Sequence, residues 1–117
     1  MTITAVKTLA ASEWKPEDDG PAFLLKPLTG LEMTYVSDYV TFDENRNALF
    51  PARACEEILK HGLVGWSDFK TVEGEEIEFD KLDQSKNISV LPFTLIRDMA
   101  DQLLGRSRLG VEEAKKS

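Results

Sequence analysis

Cys55 and His61 are the pair in this chain whose chemistry could make a nucleophile and its base, since a thiolate attacks and an imidazole takes the proton. They stand six positions apart in a segment with helical spacing, so they point about 120° away from each other and sit roughly two turns apart. Direct proton transfer needs contact near about 3 Å. That spacing favours a small core residue at Cys55 and a helix-terminal group at His61. Ser67-Asp68, with His61, has the makings of a hydrolase triad. However, neighbouring strand residues face opposite ways, and no Gly-x-Ser-x-Gly elbow is present. Glu73, Glu75, Glu76, Glu78, Asp80 and Asp83 could draw a hard cation, but they lack the ligand order of an EF-hand loop. Gly62-x-x-Gly65 follows a helix and has no Lys-Ser/Thr after it, so it is no phosphate loop. The residues therefore predict no catalytic centre, no metal and no cofactor.

The elements around these residues read as a small α+β domain of 117 residues, one unit with a single core. Thr2 to Val6 alternates with period two and predicts a first strand. Ser12 to Gly20 is polar, holds Pro16 and ends in Glu17-Asp18-Asp19-Gly20, which predicts a loop. Ala22 to Lys26 predicts a second strand, paired antiparallel with the first and stopped by Pro27. Thr29-Gly30-Leu31-Glu32 has the spacing of a capping box, opening a helix to about Tyr39 with Leu31, Tyr35 and Asp38 on related faces and Met33 and Val36 beside them, an imperfect apolar stripe. Asp43 to Asn47 reads as a polar turn.

The clearest helix runs from Pro51, suited to a first turn, through Ala54, Cys55, Ile58 and Leu59 at helical spacing. Arg53 with Glu57 and Glu56 with Lys60 are expected pairs on its outer face, and Gly62 is expected to close it in the left-handed conformation. Trp66 to Thr71 and Glu76 to Phe79 then predict a central β-hairpin turning at Gly74. Asp80 to Ser89 reads as a long loop with at most one turn of helix near Leu82. A third helix starts at Pro92, carries Phe93, Ile96, Met99, Ala100, Leu103 and Leu104 as its stripe, and is expected to end at Gly105. From about residue 106 the tail reads as a short or frayed helix.

Composition narrows the partners. Fourteen basic and 21 acidic residues give a net charge of −7, which opposes binding to nucleic acid or an anionic membrane and suits a basic or apolar protein partner. No apolar run approaches the length of a membrane span, and the opening residues carry no signal-peptide pattern. One cysteine makes no intrachain disulfide, and one His with one Cys makes no structural zinc site. A reducing cytoplasm is the expected compartment. Arg97, Arg106 and Arg108 form a small basic cluster diluted by Asp98 and Asp101, in keeping with helix-end compensation. Trp14, in a polar stretch, either folds onto the core or marks a contact surface.

Three stretches together resemble bacteriophage tail assembly chaperone-type small proteins. Phe23-Leu24-Leu25-Lys26-Pro27-Leu28-Thr29-Gly30-Leu31-Glu32 resembles their strand-to-helix transition. Gly62-Leu63-Val64-Gly65-Trp66-Ser67-Asp68-Phe69 with Gly74-Glu75-Glu76-Ile77-Glu78-Phe79 resembles their Gly-Trp segment and following hairpin. Leu91-Pro92-Phe93 through Leu104, with Glu113-Ala114-Lys115-Lys116-Ser117, resembles their closing helix and tail, although Lys116-Ser117 departs from the usual ending. The resemblance implies a protein without catalytic residues, working in the host cell cytoplasm, that keeps the tail tape-measure protein soluble until the tail tube polymerises. The tape-measure or tail tube protein is the implied partner, and the apolar stripe of the last helix could also serve a homo-oligomer. The alternative is a structural virion protein of the head or tail that makes permanent symmetric contacts. No motif fixes the contact residues. On physical grounds the candidates for partner binding are Trp14, Trp66, Phe69, Phe93, Ile96, Met99 and Leu103.

Overall fold

The computed structural model describes the chain from residue 10 to residue 116, so the strand expected over Thr2 to Val6 lies outside the described residues. The elements are β1 (Ser12–Trp14), β2 (Ala22–Leu25), α1 (Gly30–Ser37), β3 (Thr41–Phe42), β4 (Ala48–Leu49), α2 (Ala52–Gly62), β5 (Leu63–Ser67), α3 (Gln84–Ser89) and α4 (Phe93–Lys116). The architecture is α+β. An antiparallel sheet of order β1-β2-β5 packs on the helices, and β3 and β4 form a separate two-stranded ribbon.

The stretch expected to be a loop from Ser12 instead opens with β1, which pairs with β2 so that Trp14 lies opposite Phe23. Three residues are too few to show a period, and Ser12 and Glu13 are the polar residues an exposed edge strand carries. On the other side of β2, Phe23 pairs with Trp66. Trp66 therefore belongs to the sheet, one strand earlier than the hairpin arm expected to begin there. Beyond β5, Asp68 takes φ 58° and turns the chain outward. The hairpin that follows is short: one bridge between Lys70 and Glu76, with Ile77 N–H donating to Phe69 C=O at 2.8 Å. Gly74 at φ 87° makes its turn, where a side chain would be strained.

α1 opens as its spacing predicts. Thr29 Oγ1 accepts from Glu32 N–H at 3.2 Å, and Glu32 Oε1 accepts from Thr29 N–H at 2.9 Å. Of the apolar residues expected on this helix, Val36 is buried, whereas Leu31 and Tyr35 are 67% and 50% exposed. α2 buries Ala54, Cys55, Ile58 and Leu59 as its stripe requires. Pro51 occupies the cap position, at φ −65° and ψ 170°, just before the first turn. Glu56 pairs with Lys60 at 3.8 Å as expected, but Arg53 reaches Glu56 at 4.0 Å and leaves Glu57 to Lys60 and His61.

Gly62 does not close α2 in the left-handed conformation; Leu63 follows at φ −88° and ψ 113°, and the chain passes straight into β5. The reason for glycine lies across the interface. A Cβ at Gly62 would stand 2.6 Å from both terminal methyls of Leu103 on α4. The missing side chain lets the two helices approach. α2 thus ends without a glycine cap, and its last carbonyls need other donors. Gln84 supplies them, its Nε2 lying 3.1, 3.2 and 2.6 Å from the carbonyl oxygens of Leu59, Lys60 and Leu63.

Gln84 belongs to α3, a helix formed where a loop was expected. Asp83 caps it by accepting from Lys86 N–H at 3.1 Å. Its buried Asn87 accepts from Asp80 N–H at 2.8 Å and donates to Asp80 C=O at 2.7 Å and Gln84 Oε1 at 2.8 Å. α4 likewise outruns its expected end, continuing through Gly105 to Lys116. A helical glycine costs only about 1 kcal/mol, and the contacts just beyond it compensate. Ser107 Oγ accepts from Leu28 N–H at 3.0 Å, and Arg106 donates to Ser12 Oγ at 2.6 Å. The core between these elements centres on Phe23, Leu25, Ile58, Leu59, Leu63, Met99 and Leu103, all fully buried.

Candidate protein-binding surface

The aromatic residues of the sheet and the hairpin meet in one cluster around the buried Phe23. The rings of Trp14, Trp66 and Phe69 lie 6.1, 6.2 and 5.5 Å from it. Trp66 in turn meets Phe69 edge-on at 5.2 Å and Phe79 at 4.9 Å, the offsets that aromatic quadrupoles favour. Its indole N–H donates to Ile77 C=O at 2.7 Å, which fastens the hairpin to β5. Trp14, Trp66, Phe69 and Phe79 are only half-buried and form the outer wall of the core. Above Trp66 an open depression of about 380 Å³ is lined by Glu76, Ile77, Glu78 and Phe79.

The candidates on α4 divide. Phe93 is 56% exposed, with the Arg97 guanidinium 5.9 Å from its ring centre, and Ile96 is half-buried. Met99 and Leu103 are wholly buried, so neither offers surface to a partner in this fold. Their positions on the stripe are the innermost ones, where α4 lies against α2. Apolar surface also appears at places the periodicity did not single out as contacts: Leu31 and Tyr35 on α1, and Phe42 and Leu49 on the β3–β4 ribbon. Phe42 sits beside a polar turn in a two-residue strand, so no pattern in the sequence marks it. Phe79 and Ile77 were legible as one strand face, but their contact with Trp66 depends on the turn at Asp68.

The reactive residue types take separate partners. Cys55 is buried, its Sγ lies 3.6 Å from Phe50 C=O, and burial pushes its thiol up from the ordinary cysteine range. His61 turns the other way. Its Nδ1 lies 3.4 Å from Glu32 Oε2, its Nε2 lies 3.4 Å from Glu57 Oε1, and its ring stacks on Tyr35 at 5.6 Å. Ser67 and Asp68 are exposed where the chain leaves the sheet. Of the acidic residues of the hairpin and loop, Asp80 and Asp83 organise backbone around α3, Asp80 Oδ1 accepting from Leu82 N–H at 2.9 Å. Among the described residues no three His, Cys, Asp or Glu side chains are arranged to hold a metal ion, and no helix is long and apolar enough to cross a membrane. Arg106, from the small basic cluster, is spent on Ser12 and the strand carbonyls.

Set against known protein families, curated proteins and solved structures, the chain matches none of them.

Proposed function

We propose that this protein works by reversible binding of another polypeptide, as a phage tail assembly chaperone that keeps the tape-measure protein soluble before the tail tube forms. The observation that carries this reading is the partly open aromatic wall of Trp14, Trp66, Phe69 and Phe79, and the ring of Phe93 on α4 is exposed as well. A chaperone needs apolar contacts that stay accessible in the folded state, and aromatic rings provide large contact areas at small entropic cost. The net charge of −7 would keep a complex with an apolar client in solution. The choice of the tape-measure protein as client rests on the resemblance of three stretches in order, residues 23–32, 62–69 with 74–79, and 91–104 with the tail, to phage tail assembly chaperones.

Co-expression with the cognate tape-measure protein tests the reading. Soluble yield of that protein should rise, and the two should co-purify. Unchanged yield together with no co-purification would sink it. Mass spectrometry of purified virions separates the alternative, because a chaperone should be missing from them and a structural head or tail protein present in many copies.

A further inference from the structure

We infer that the depression over Trp66, Ile77 and Phe79, edged by Glu76 and Glu78, docks a lysine- or arginine-bearing segment of a protein partner. This rests on the polypeptide-binding reading above and names the chemistry of what is bound. The floor is preorganised: Ile77 C=O holds the Trp66 indole through a 2.7 Å hydrogen bond, and Phe79 buttresses it edge-on at 4.9 Å. A held indole presents a ring face that attracts cations and a wide apolar area that accepts an aliphatic stem. The depression is open to solvent, so an occupant can enter without prying the fold apart.

Charge decides which occupant fits. The hairpin from Thr71 to Asp80 carries Glu73, Glu75, Glu76, Glu78 and Asp80 and no basic residue. Among the described residues the ion pairs use Glu32, Glu56 and Glu57, and none uses Glu73, Glu75, Glu76 or Glu78. Lys70 stands opposite Glu76 in the bridge yet makes no ion pair with it. A neutral apolar segment would cover the rings and leave these carboxylates without a counter-charge, while an acidic one would be repelled. A lysine or arginine side chain satisfies both halves, its methylenes on Trp66 and Phe79 and its cation at Glu76 and Glu78.

The test is an NMR titration of the isotope-labelled full chain with a capped peptide of alternating lysine and leucine. Capped peptides of alternating serine and leucine, and of glutamate and leucine, serve as controls. Saturable shifts of the Trp66 indole N–H and of the Ile77 and Phe79 amides are expected with the lysine peptide alone. Glu76→Gln with Glu78→Gln should weaken its affinity roughly three- to tenfold, the worth of two solvent-facing charge contacts, and added salt should act in the same direction. Both positions are exposed, and the amide spectrum of the variant reports directly whether the fold is kept; single Glu78→Gln serves if the double variant does not keep it. Equal affinity for the serine peptide, unchanged affinity in the variant, shifts centred on Phe93, or no saturable shift at all would each overturn the inference. Failure here is distinct from failure of the chaperone reading. If the double variant solubilises the tape-measure protein as well as the native chain does, the site falls and the function stands. If the lysine peptide binds at this site while tape-measure solubility is unchanged, the function falls and the site stands.

Discussion

α1 and α2 are joined by the β3–β4 ribbon and pack side by side, yet they are held in different ways. α2 buries Ala54, Cys55, Ile58, Leu59 and Gly62, and its last carbonyls are met by the side chain of Gln84 from α3. α1 buries only Val36. What holds it in place is polar: the reciprocal Thr29–Glu32 cap, Lys26 at 3.9 Å from Glu32, and His61 reaching across from α2. Apolar burial is worth several kcal/mol per helix, whereas caps and solvent-facing ion pairs contribute about 1 kcal/mol or less each. The difference predicts a chain whose global stability resides in α2, α4 and the sheet, with α1 and the ribbon opening at lower cost.

The strongest way to break that division is at the α2–α4 contact. Leu103→Ala should destabilise the whole fold by about 2–5 kcal/mol, read as a fall in the denaturation midpoint. A loss below about 1 kcal/mol would show that α4 is dispensable and that the comparison is misdrawn. Gly62→Ala attacks the same contact from the other side by overpacking, since its new methyl must displace the ends of the Leu103 side chain. A cost of about 1–3 kcal/mol is expected. If that cost comes from the clash alone, combining Gly62→Ala with Leu103→Ala should give less than the sum of the two, because they share one space. Strict additivity would place the defect in the backbone at Gly62 instead.

Gln84→Ala sharpens the point about closure. It removes the donor to α2's final carbonyls and one partner of buried Asn87, and should cost about 1–3 kcal/mol globally. An effect confined to the amides of α3 would mean that α2 needs no such closure.

These sites also mark where the sequence was readable. The stripe of α2 was legible because Ala54, Cys55, Ile58 and Leu59 obey one period, and the capping box of α1 because its two reciprocal bonds are local. Gly62 was legible as a helix end but not for its reason, since glycine serves both a left-handed turn and a close approach, and only the position of Leu103 decides between them. α3 was hidden because its anchors, Gln84 and Asn87, are polar and act on carbonyls 20 or more residues away or on a loop. Which side of α1 faces inward was not legible, because an eight-residue helix with apolar residues on several sides carries no dominant stripe, and only Val36 is buried while Leu31 and Tyr35 stay exposed. The surface candidates follow the same rule. Trp66 stood out as a large residue after a glycine, while the depression around it exists only once β5, Asp68 and the hairpin are assembled.

On the weaker side of the comparison the effects should be smaller and local. Thr29→Ala removes one half of the α1 cap and should cost about 1 kcal/mol, with hydrogen exchange accelerated in α1 and hardly changed in α2. Equal acceleration in both helices would show that they open as one unit and erase the distinction.

The least costly element to open should be the ribbon between them, and it offers a pH test. Asp43 accepts from the Asn47 and Asn45 backbone N–H groups, each at 2.9 Å, and from the Asn47 side chain at 3.4 Å. The Asn47 backbone bond above all, then the Asn47 side chain and the Asn45 backbone, hold its carboxyl below the usual carboxylate range. A carboxyl lowered in the folded state contributes its stabilisation above the unfolded value and loses it as pH falls through the folded one. Acidification into and below the ordinary carboxylate range should therefore loosen the β3–β4 ribbon before the core responds, seen as faster exchange at the amides of Thr41 and Leu49, the pair that faces across the ladder in step with Asp43 and Asn47, while the α2 amides stay protected. Asp43→Ala should reproduce that loosening at neutral pH and abolish its pH dependence, leaving the melting of the whole chain nearly unchanged. A ribbon that stays protected in this variant would mean that its two short strands hold without the turn, which a pair of two-residue strands with both faces exposed is too slight to do alone.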